Sequence, residues 1–295
     1  VYKRQTLAAP LTLNPARWRE RAARHRRRAE RLTDAHLKRR RRHEKEPVQD
    51  FLFDYYWLSP GKLKTWHPGV GVALEDAGEL AGRAFYSPRP DGTLAVDADE
   101  FLQRHGAKAR EIAELLRRTA QRPAHFDCFG LHEWAMVYRA ENTRHDLPLR
   151  LGSAGSDEVV ESHELRCTHF DAYRFFTPEA RPRNATRLSR DTQPACEQEG
   201  CLHATMDLYK WAGKLGPLVP GELLLDCFEL ARDTRVLDME ASPYDVRGLG
   251  YGVVPIEKPE GKRTYVARQK RLAARGRRLR ARLLGVLARA GMPID

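Results

Sequence analysis

Long apolar runs are missing from this sequence of 295 residues. No stretch approaches the roughly 20 apolar residues that cross a bilayer, and residues 1–15 lack the apolar region of a secretory signal. The five cysteines form no CxxC pair and have none of the spacings of a small disulfide framework. We therefore expect a cytoplasmic protein with reduced thiols and no membrane partner.

Several catalytic motifs with a well-defined spacing are also absent. The phosphate-binding pattern GxxxxGK followed by Ser or Thr does not occur, and neither does the dinucleotide-binding pattern GxGxxG. The GxSxG elbow that exposes a nucleophilic serine is missing, as is the zinc-binding HExxH pattern. These absences argue against a P-loop NTPase, a Rossmann enzyme and a serine hydrolase. We expect chemistry without a cofactor and assign no metal ligand.

Helical periodicity dominates the chain. At 41% hydrophobic residues the chain can bury a core of ordinary size. Asn14-Pro15 predicts a helix that continues to about Glu46, and Asp91-Gly92 predicts the turn of a β-hairpin. Apolar residues recur at helical spacing in four further segments: 107–122, 202–215, 220–235 and 261–290. Short strands are also expected at 149–152 and 164–169.

These elements predict an α+β protein that is predominantly α-helical, with a compact body, a small β element and long basic N- and C-terminal helices. We divide the chain into a basic N-terminal helical arm (1–50), a candidate catalytic core (51–250) and a basic C-terminal helix packed on that core (251–295). No oligomeric state is predicted.

Positive charge is concentrated at the two ends of the chain. The formal net charge is +12, but residues 17–45 carry +10 and residues 262–289 carry +11, so the remainder is near −9. Clustered cations bind phosphate backbones by releasing counterions, which favours DNA as the partner. The alternatives are solvated faces of two surface helices and contact with an acidic lipid or protein. The candidate nucleic-acid-binding residues are Arg39, Arg40, Arg41, Arg42, Arg277 and Arg278.

Histidine and cysteine are concentrated in the middle of the chain, where six of the eleven histidines and four of the five cysteines lie between His125 and His203. Alternating residues of a strand share one face, so a tetrahedral metal site could form from Cys167, His169 and Asp171 with His203 and Cys201 or Cys196. No standard metal-binding spacing supports this site, and buried thiols and hydrogen-bonded histidines give the same pattern. A metal-dependent hydrolase is therefore an alternative only.

Aromatic rings and carboxylates are interleaved in the same region. A pocket that removes a damaged base needs flat side chains to hold the extruded base and a carboxylate to activate water or to stabilise an oxocarbenium ion. An alkylated base leaves with its own positive charge, so it needs little acid catalysis, and aromatic faces favour that cation. We predict Asp171 as the carboxylate that activates water, with Asp207 and Glu133 as the next candidates.

Other residues of the region receive supporting roles. Three histidines would orient the carboxylate or share its proton: His169, His132 and His203. Contact with the base is assigned to Trp134, Tyr138, Tyr173 and Trp211. Contact with the sugar-phosphate is assigned to Arg139, Arg150, Arg166 and Arg174. In the competing interpretation, many of these rings belong to the core and the Arg–carboxylate pairs only tie loops together.

Four strings in this region are distinctive: FGLHEWAMVYR (129–139), PLRLG (148–152), RCTHFDAYRFFTP (166–178) and CLHATMDLYKW (201–211). On these strings the chain resembles a family of actinobacterial proteins carried in genomes as 3-methyladenine DNA glycosylases, from about Trp18 to the C-terminal helix. The resemblance implies a monofunctional repair enzyme that removes alkylated purines from DNA by hydrolysis of the N-glycosidic bond. Two alternatives stay open, a non-catalytic RNA- or DNA-binding protein and the metal-dependent hydrolase.

Overall fold

The computed structural model describes residues 11–294, and this part of the chain is predominantly α-helical with one small sheet, as the sequence predicts. The helices are α1 (Pro15–Arg41), α2 (Phe51–Asp54), α3 (Pro60–Lys64), α4 (Ala98–Gln121), α5 (Leu131–Ala135), α6 (Gly152–Glu161), α7 (Phe170–Tyr173), α8 (Gln193–Cys196), α9 (Leu202–Lys214), α10 (Gly221–Glu240) and α11 (Pro259–Arg289). The strands are β1 (Leu11–Leu13), β2 (Val72–Leu74), β3 (Tyr86–Pro88) and β4 (Leu94–Val96). None of the helices within residues 11–294 carries an apolar stretch long enough to cross a membrane.

The four strands form one sheet in the order β1-β2-β4-β3. The predicted hairpin is present as antiparallel β3 and β4. Its turn is fixed by Asp91, whose carboxylate accepts hydrogen bonds from the backbone N–H and the hydroxyl of Thr93. β1, which the sequence did not indicate, pairs in parallel with β2 just before α1 begins. The sheet therefore ties the start of α1 to the body of the protein.

Helix α1 begins where the sequence predicts and ends earlier. The Asn14 side chain accepts a hydrogen bond from the N–H of Arg17 and caps the helix. The end near Glu46 was wrong, because His43 adopts a left-handed backbone with φ 54° and stops the helix at Arg41.

The two short strands expected in the middle of the chain were also wrong. Only single bridges form there, Leu149 with Tyr244 and Leu165 with Asn184. A strand needs a partner along its length, and here the neighbouring segment from Gly152 turns into α6 instead.

Helices α9, α10 and α11 form the centre of the molecule. α10 packs against both of the others, and its residues are buried on nearly all sides. Apolar residues of both terminal helices join the same buried cluster, including Trp18 and Ala29 of α1 and Leu283 and Leu287 of α11. The basic ends of the chain are thus packed on the body through apolar faces, and most of their arginines point outward.

Candidate functional site

The six predicted catalytic side chains lie in one connected row that runs from a surface cavity into the core. Helices α5, α7, α9 and α10 supply most of its members. In order, the row consists of Asp171, Lys210, Asp207, His169, His203, His132, Asp238, Arg235 and Glu133. The packing of α9 against α10 brings together side chains that the sequence keeps in separate strings.

Asp171 forms the outer end of the row and is held as an anion. Its Oδ2 accepts a hydrogen bond from Lys210 Nζ at 2.8 Å, and its Oδ1 accepts one from Arg190 Nη2 at 2.7 Å. Burial raises the pKa of Asp171, but the hydrogen bonds from Lys210 and Arg190 outweigh it and leave the pKa below its usual value. Lys210 is largely buried, whereas 57% of the Arg190 side chain is exposed. Asp171 is therefore ionised at neutral pH, and its Oδ1 is covered by an exposed side chain.

Asp207 is the buried counterpart of Asp171. Its Oδ2 lies 3.1 Å from Lys210 Nζ and 3.4 Å from His169 Nε2, and its Oδ1 accepts a hydrogen bond from the Tyr56 hydroxyl at 3.0 Å. Burial raises the pKa of Asp207, but the positive charge of Lys210 and the neighbouring His169 lower it well below its usual value. Burial also lowers the pKa of Lys210, but the two carboxylates raise it above its usual value. Lys210 therefore stays protonated between two anions.

Three histidine rings fill the middle of the row. The ring of His203 stacks on that of His169 with centroids 5.3 Å apart, and it meets the ring of His132 edge to face at 4.5 Å. His132 Nε2 lies 2.8 Å from Asp238 Oδ1, and although burial lowers the pKa of His132, Asp238 raises it well above its usual value. Burial and the charge of His132 lower the pKa of His203. A charged and a neutral ring therefore lie side by side.

Glu133 lies at the inner end of the row, away from the cavity. Its Oε1 accepts a hydrogen bond from Arg235 Nη1 at 3.0 Å, and the same nitrogen donates to Asp238 Oδ2 at 2.7 Å. All three side chains are almost fully buried. The prediction of a catalytic carboxylate does not fit this position, because Glu133 does not reach the cavity and instead neutralises a buried guanidinium.

A cavity of about 720 Å³ opens at the outer end of the row. Tyr55, Trp57 and Trp211 provide flat side chains on its wall, and Asp171 provides a carboxylate. Its volume lies within the range of small-molecule sites, about 300–1,000 Å³. The wall also carries charge of both signs, from Lys108, Glu111, Glu114, Arg174, Arg190, Asp191, Lys210 and Lys214. Of the side chains predicted to bind substrate, Trp211 and Arg174 line this cavity.

The other three rings predicted to contact a base lie elsewhere, and these predictions need correction. Trp134 is fully buried, and its Nε1 donates to a backbone carbonyl of the core at 2.9 Å. Tyr173 packs against Phe176 in the core. The Tyr138 hydroxyl donates to Glu161, and its ring lies beneath surface guanidiniums outside the cavity. Large rings next to helical apolar positions are driven inward, so for these three the core interpretation is correct.

Three of the four arginines predicted to bind sugar-phosphate form ion pairs away from the cavity. Arg150 is the most buried of them and makes two hydrogen bonds to Glu257, each 3.0 Å long. Exposed pairs join Arg139 to Glu161, and Arg166 to Asp127 and Glu164. These pairs connect loops and helix ends, as the competing interpretation of the sequence stated.

The two basic helices lie on either side of one acidic edge of α10. That edge consists of Glu222, Asp226, Glu229 and Asp233. Four arginines pair with it, Arg21 and Arg28 from α1 and Arg275 and Arg282 from α11. Arg28 and Arg282 share the carboxylate of Asp226, at 2.8 and 2.6 Å. Helices α1 and α11 are therefore neighbours in space and form one basic surface.

A groove of about 600 Å³ lies where these helices meet. Its cationic lining consists of Arg17, Arg21, Arg24, Arg28 and Arg282, with Glu20 and Glu222 as the acidic members. Further exposed arginines on the same two helices have no acidic partner among residues 11–294: Arg27, Arg31, Arg271 and Arg278. The basic surface thus keeps an excess of positive charge after its ion pairs are counted.

The predicted nucleic-acid-binding arginines divide into paired and free side chains. Arg39 is half-buried and bound to Asp50, and Arg277 is bound to Glu199 at 2.8 Å. Arg42 has a distant partner in Glu44, at 3.9 Å. Within the part of the chain that the structure describes, three are exposed without an acidic partner: Arg40, Arg41 and Arg278.

The metal site considered from sequence does not form from the expected residues. Asp171 is held by Lys210 and Arg190, and Cys167 Sγ lies beside the backbone carbonyl of His169. Among residues 11–294, a different group brings its potential ligand atoms together: His132, Glu133, His203 and Asp238.

Sequence reasoning missed several residues that line the cavity. Lys210 follows Asp207 by three residues, a spacing that places both on one helical face and could have indicated the pair. Tyr55 and Trp57 belong to the run FLFDYYWL (51–58), which indicated only the start of the compact body.

The inner partners of the row carry no comparable signal. Arg235 and Asp238 share the same three-residue spacing on α10, but nothing in the sequence marks Asp238 as the partner of His132, 106 residues away.

No family model, curated protein or solved structure matches the chain.

Proposed function

We propose that this protein is a cytoplasmic, monofunctional DNA glycosylase that hydrolyses the N-glycosidic bond of alkylated purines of the 3-methyladenine type. One observation carries the proposal: Asp171 is held as an anion on the wall of a cavity that Tyr55, Trp57 and Trp211 line with flat side chains. Of the four strings that carry the family resemblance, three contribute side chains to the row that ends at Asp171.

The charge state of Asp171 suits this reaction. Positive charge builds on the sugar as the base leaves, and an ionised carboxylate beside the sugar stabilises it. The carboxylate also takes a proton from the water that adds to the anomeric carbon. Oδ1 is held by Arg190, with Arg174 at 3.6 Å, and both guanidiniums are exposed. When DNA phosphates draw these arginines away, Oδ1 becomes free for water while Lys210 keeps the carboxylate in place.

The aromatic side chains of the cavity suit a flat base. Lys210 Nζ lies 4.5 Å from the ring centroid of Trp211, and two lysines lie 5.1 Å from the ring centroid of Trp57, so both rings already contact cations. Glu111 and Glu114 on the same wall are paired with basic side chains. The flat ring of an alkylated purine therefore matches this lining, and Asp171, at the outer end of the row, is the carboxylate that can meet its positive charge.

We expect the basic surface of α1 and α11 to hold the DNA backbone. Replacing Arg27, Arg31 and Arg278 with alanine should lower DNA affinity and reduce the slope of log K against log salt by up to about 3, because each lost phosphate contact releases about one counterion fewer. Fluorescence anisotropy with a labelled duplex at several salt concentrations measures both quantities.

A variant with the same change in net charge provides the control. Arg89, Arg187 and Arg247 are exposed arginines outside α1 and α11. Their replacement with alanine should leave the slope nearly unchanged. An equal loss of slope in both triple variants would show that the protein attracts DNA only through its overall charge.

Release of free base tests the proposed reaction itself. The wild-type protein is incubated with methylated DNA, and the released bases are separated and identified by mass spectrometry. We expect free 3-methyladenine together with abasic DNA. The main rival, a non-catalytic RNA- or DNA-binding protein, gives the same salt-dependent binding and releases no base.

A further inference from the structure

We infer that His132, Glu133, His203 and Asp238 bind one divalent metal ion of the zinc class at the inner end of the row. One ligand atom from each of these side chains lies within 4.8 Å of the others. Two imidazole nitrogens and two carboxylate oxygens are ligands that zinc accepts in tetrahedral geometry. The site is independent of the proposed glycosylase reaction.

The four ligands come from three helices that pack in the centre of the protein. α5 supplies His132 and Glu133, α9 supplies His203, and α10 supplies Asp238. All four are more than nine-tenths buried. A metal ion here would join helices that are distant in sequence, which is the role of a structural site with four protein ligands.

His203 is the second observation that indicates a ligand. Its side chain is 8% exposed, and its Nδ1 has no hydrogen-bond partner among the described residues. Buried ring nitrogens are normally hydrogen-bonded, because a buried polar atom without a partner loses its contacts with water and gains none in return. A bound metal ion satisfies such a nitrogen, since a neutral imidazole coordinates through its lone pair.

The proposed ligands are held by hydrogen bonds and contacts of the kind that orient ligands in known metal sites. Arg235 Nη1 donates to Glu133 Oε1 and Asp238 Oδ2, so the remaining oxygen of Glu133 is not bound by Arg235, and Asp238 Oδ1 contacts His132 Nε2, another of the four ligands. His132 Nδ1 lies 3.5 Å from Cys128 Sγ, so His132 can ligate through Nε2 while its other nitrogen is held. Such outer contacts orient ligands and increase their affinity for metal.

Metal binding requires deprotonated ligands, so His132 would coordinate as a neutral imidazole and Asp238 as a carboxylate. Their ligand atoms, His132 Nε2 and Asp238 Oδ1, lie 2.8 Å apart and can face the same ion.

This site differs from the catalytic metal of the metal-dependent hydrolase that the sequence left open, because it lies away from the cavity. The cavity lies at the other end of the row, beyond Asp207 and Lys210. All four coordination positions are taken by protein, so no position is left for a substrate or an activated water. The expected effect of the metal is on stability.

Metal titration of the wild-type protein tests the inference. The protein is dialysed against chelator, and the chelator is removed. The protein is then titrated with Zn²⁺ in a calorimeter, and the retained zinc is measured by elemental analysis. We expect one ion per chain that survives dialysis, together with a higher melting temperature. Failure to retain zinc would overturn the site, whatever the result of the base-release assay.

Two variants and a cobalt spectrum assign the ligands. His203→Gln should weaken zinc binding at least tenfold, whereas His163→Gln should not change it, because His163 is a half-buried histidine just after the end of α6 and outside the ligand group. Equal binding by both variants would contradict the assignment. If His203→Gln does not fold, the absorption spectrum of wild-type protein loaded with Co²⁺ identifies the ligands. A tetrahedral spectrum without thiolate charge-transfer absorption would support the four ligands. A thiolate charge-transfer band would contradict them and would indicate that Cys128 or a neighbouring cysteine binds the metal.

Discussion

Asp171→Asn is expected to lower the single-turnover rate of 3-methyladenine release by about 100- to 10,000-fold, the usual range for loss of a positioned catalytic acid or base. The amide is close to the carboxylate in size, so the cavity keeps its shape, but it has no charge to stabilise the sugar cation and cannot accept a proton from water. DNA affinity should not fall, because the substitution removes a negative charge and releases Arg190 for contact with phosphate. Rapid-quench measurement of released base at saturating protein isolates the chemical step.

Asp191→Asn is the matched control for this variant. Asp191 lines the same cavity and the substitution removes the same charge, but among residues 11–294 it has no ion pair and lies outside the row. We expect its release rate to stay within a few-fold of the wild type. A similar loss in both variants would indicate a general effect of cavity charge, and an unchanged rate in Asp171→Asn would remove that residue from the mechanism.

Arg235→Met should give the largest loss of stability, about 3–5 kcal/mol in the free energy of unfolding. Arg235 is 1% exposed, and its guanidinium is hydrogen-bonded to both Glu133 and Asp238. Methionine fills much of the same volume but leaves two buried carboxylates with one fewer positive charge, and desolvated anions without a partner are costly. Urea denaturation of protein dialysed against chelator measures the change without interference from bound metal.

The control is Arg232→Met, one turn earlier on the same helix. Arg232 is partly exposed and lies 3.5 Å from Asp233, so its ion pair is screened by solvent. Its replacement should change stability by less than about 1 kcal/mol. Comparable losses for the two variants would mean that the buried network around Arg235 contributes no more than an ordinary surface charge.

Charge and periodicity in the sequence predicted the two basic helices but not their arrangement. Residues 17–45 and 262–289 stand out by composition, yet nothing local shows that both helices meet one acidic edge of α10. That edge is also regular, with Glu222 and Asp226 one turn apart, but its partners are known only once α1 and α11 are packed. The run of arginines that begins at Arg39 predicted DNA contact at the end of α1, but Arg39 is already paired with Asp50.

The catalytic candidates were predictable because titratable side chains stand out among apolar neighbours. Their order along the row was not, because it depends on which helical faces pack together. Asp171 and Trp211 reach the cavity, whereas Glu133 and Trp134 lie in the core. Adjacent residues of a helix point in different directions, so a string such as HEW cannot show which of its members meets a substrate.

The most direct test of the central proposal uses one duplex oligonucleotide with a single 3-methyladenine and its unmodified twin. Both are fully bound by wild-type protein, and the free base is measured over time. We predict first-order release of one methylated base per duplex, with every base of the unmodified twin retained. A methylated duplex that is fully bound and keeps its glycosidic bond intact would contradict the proposed function.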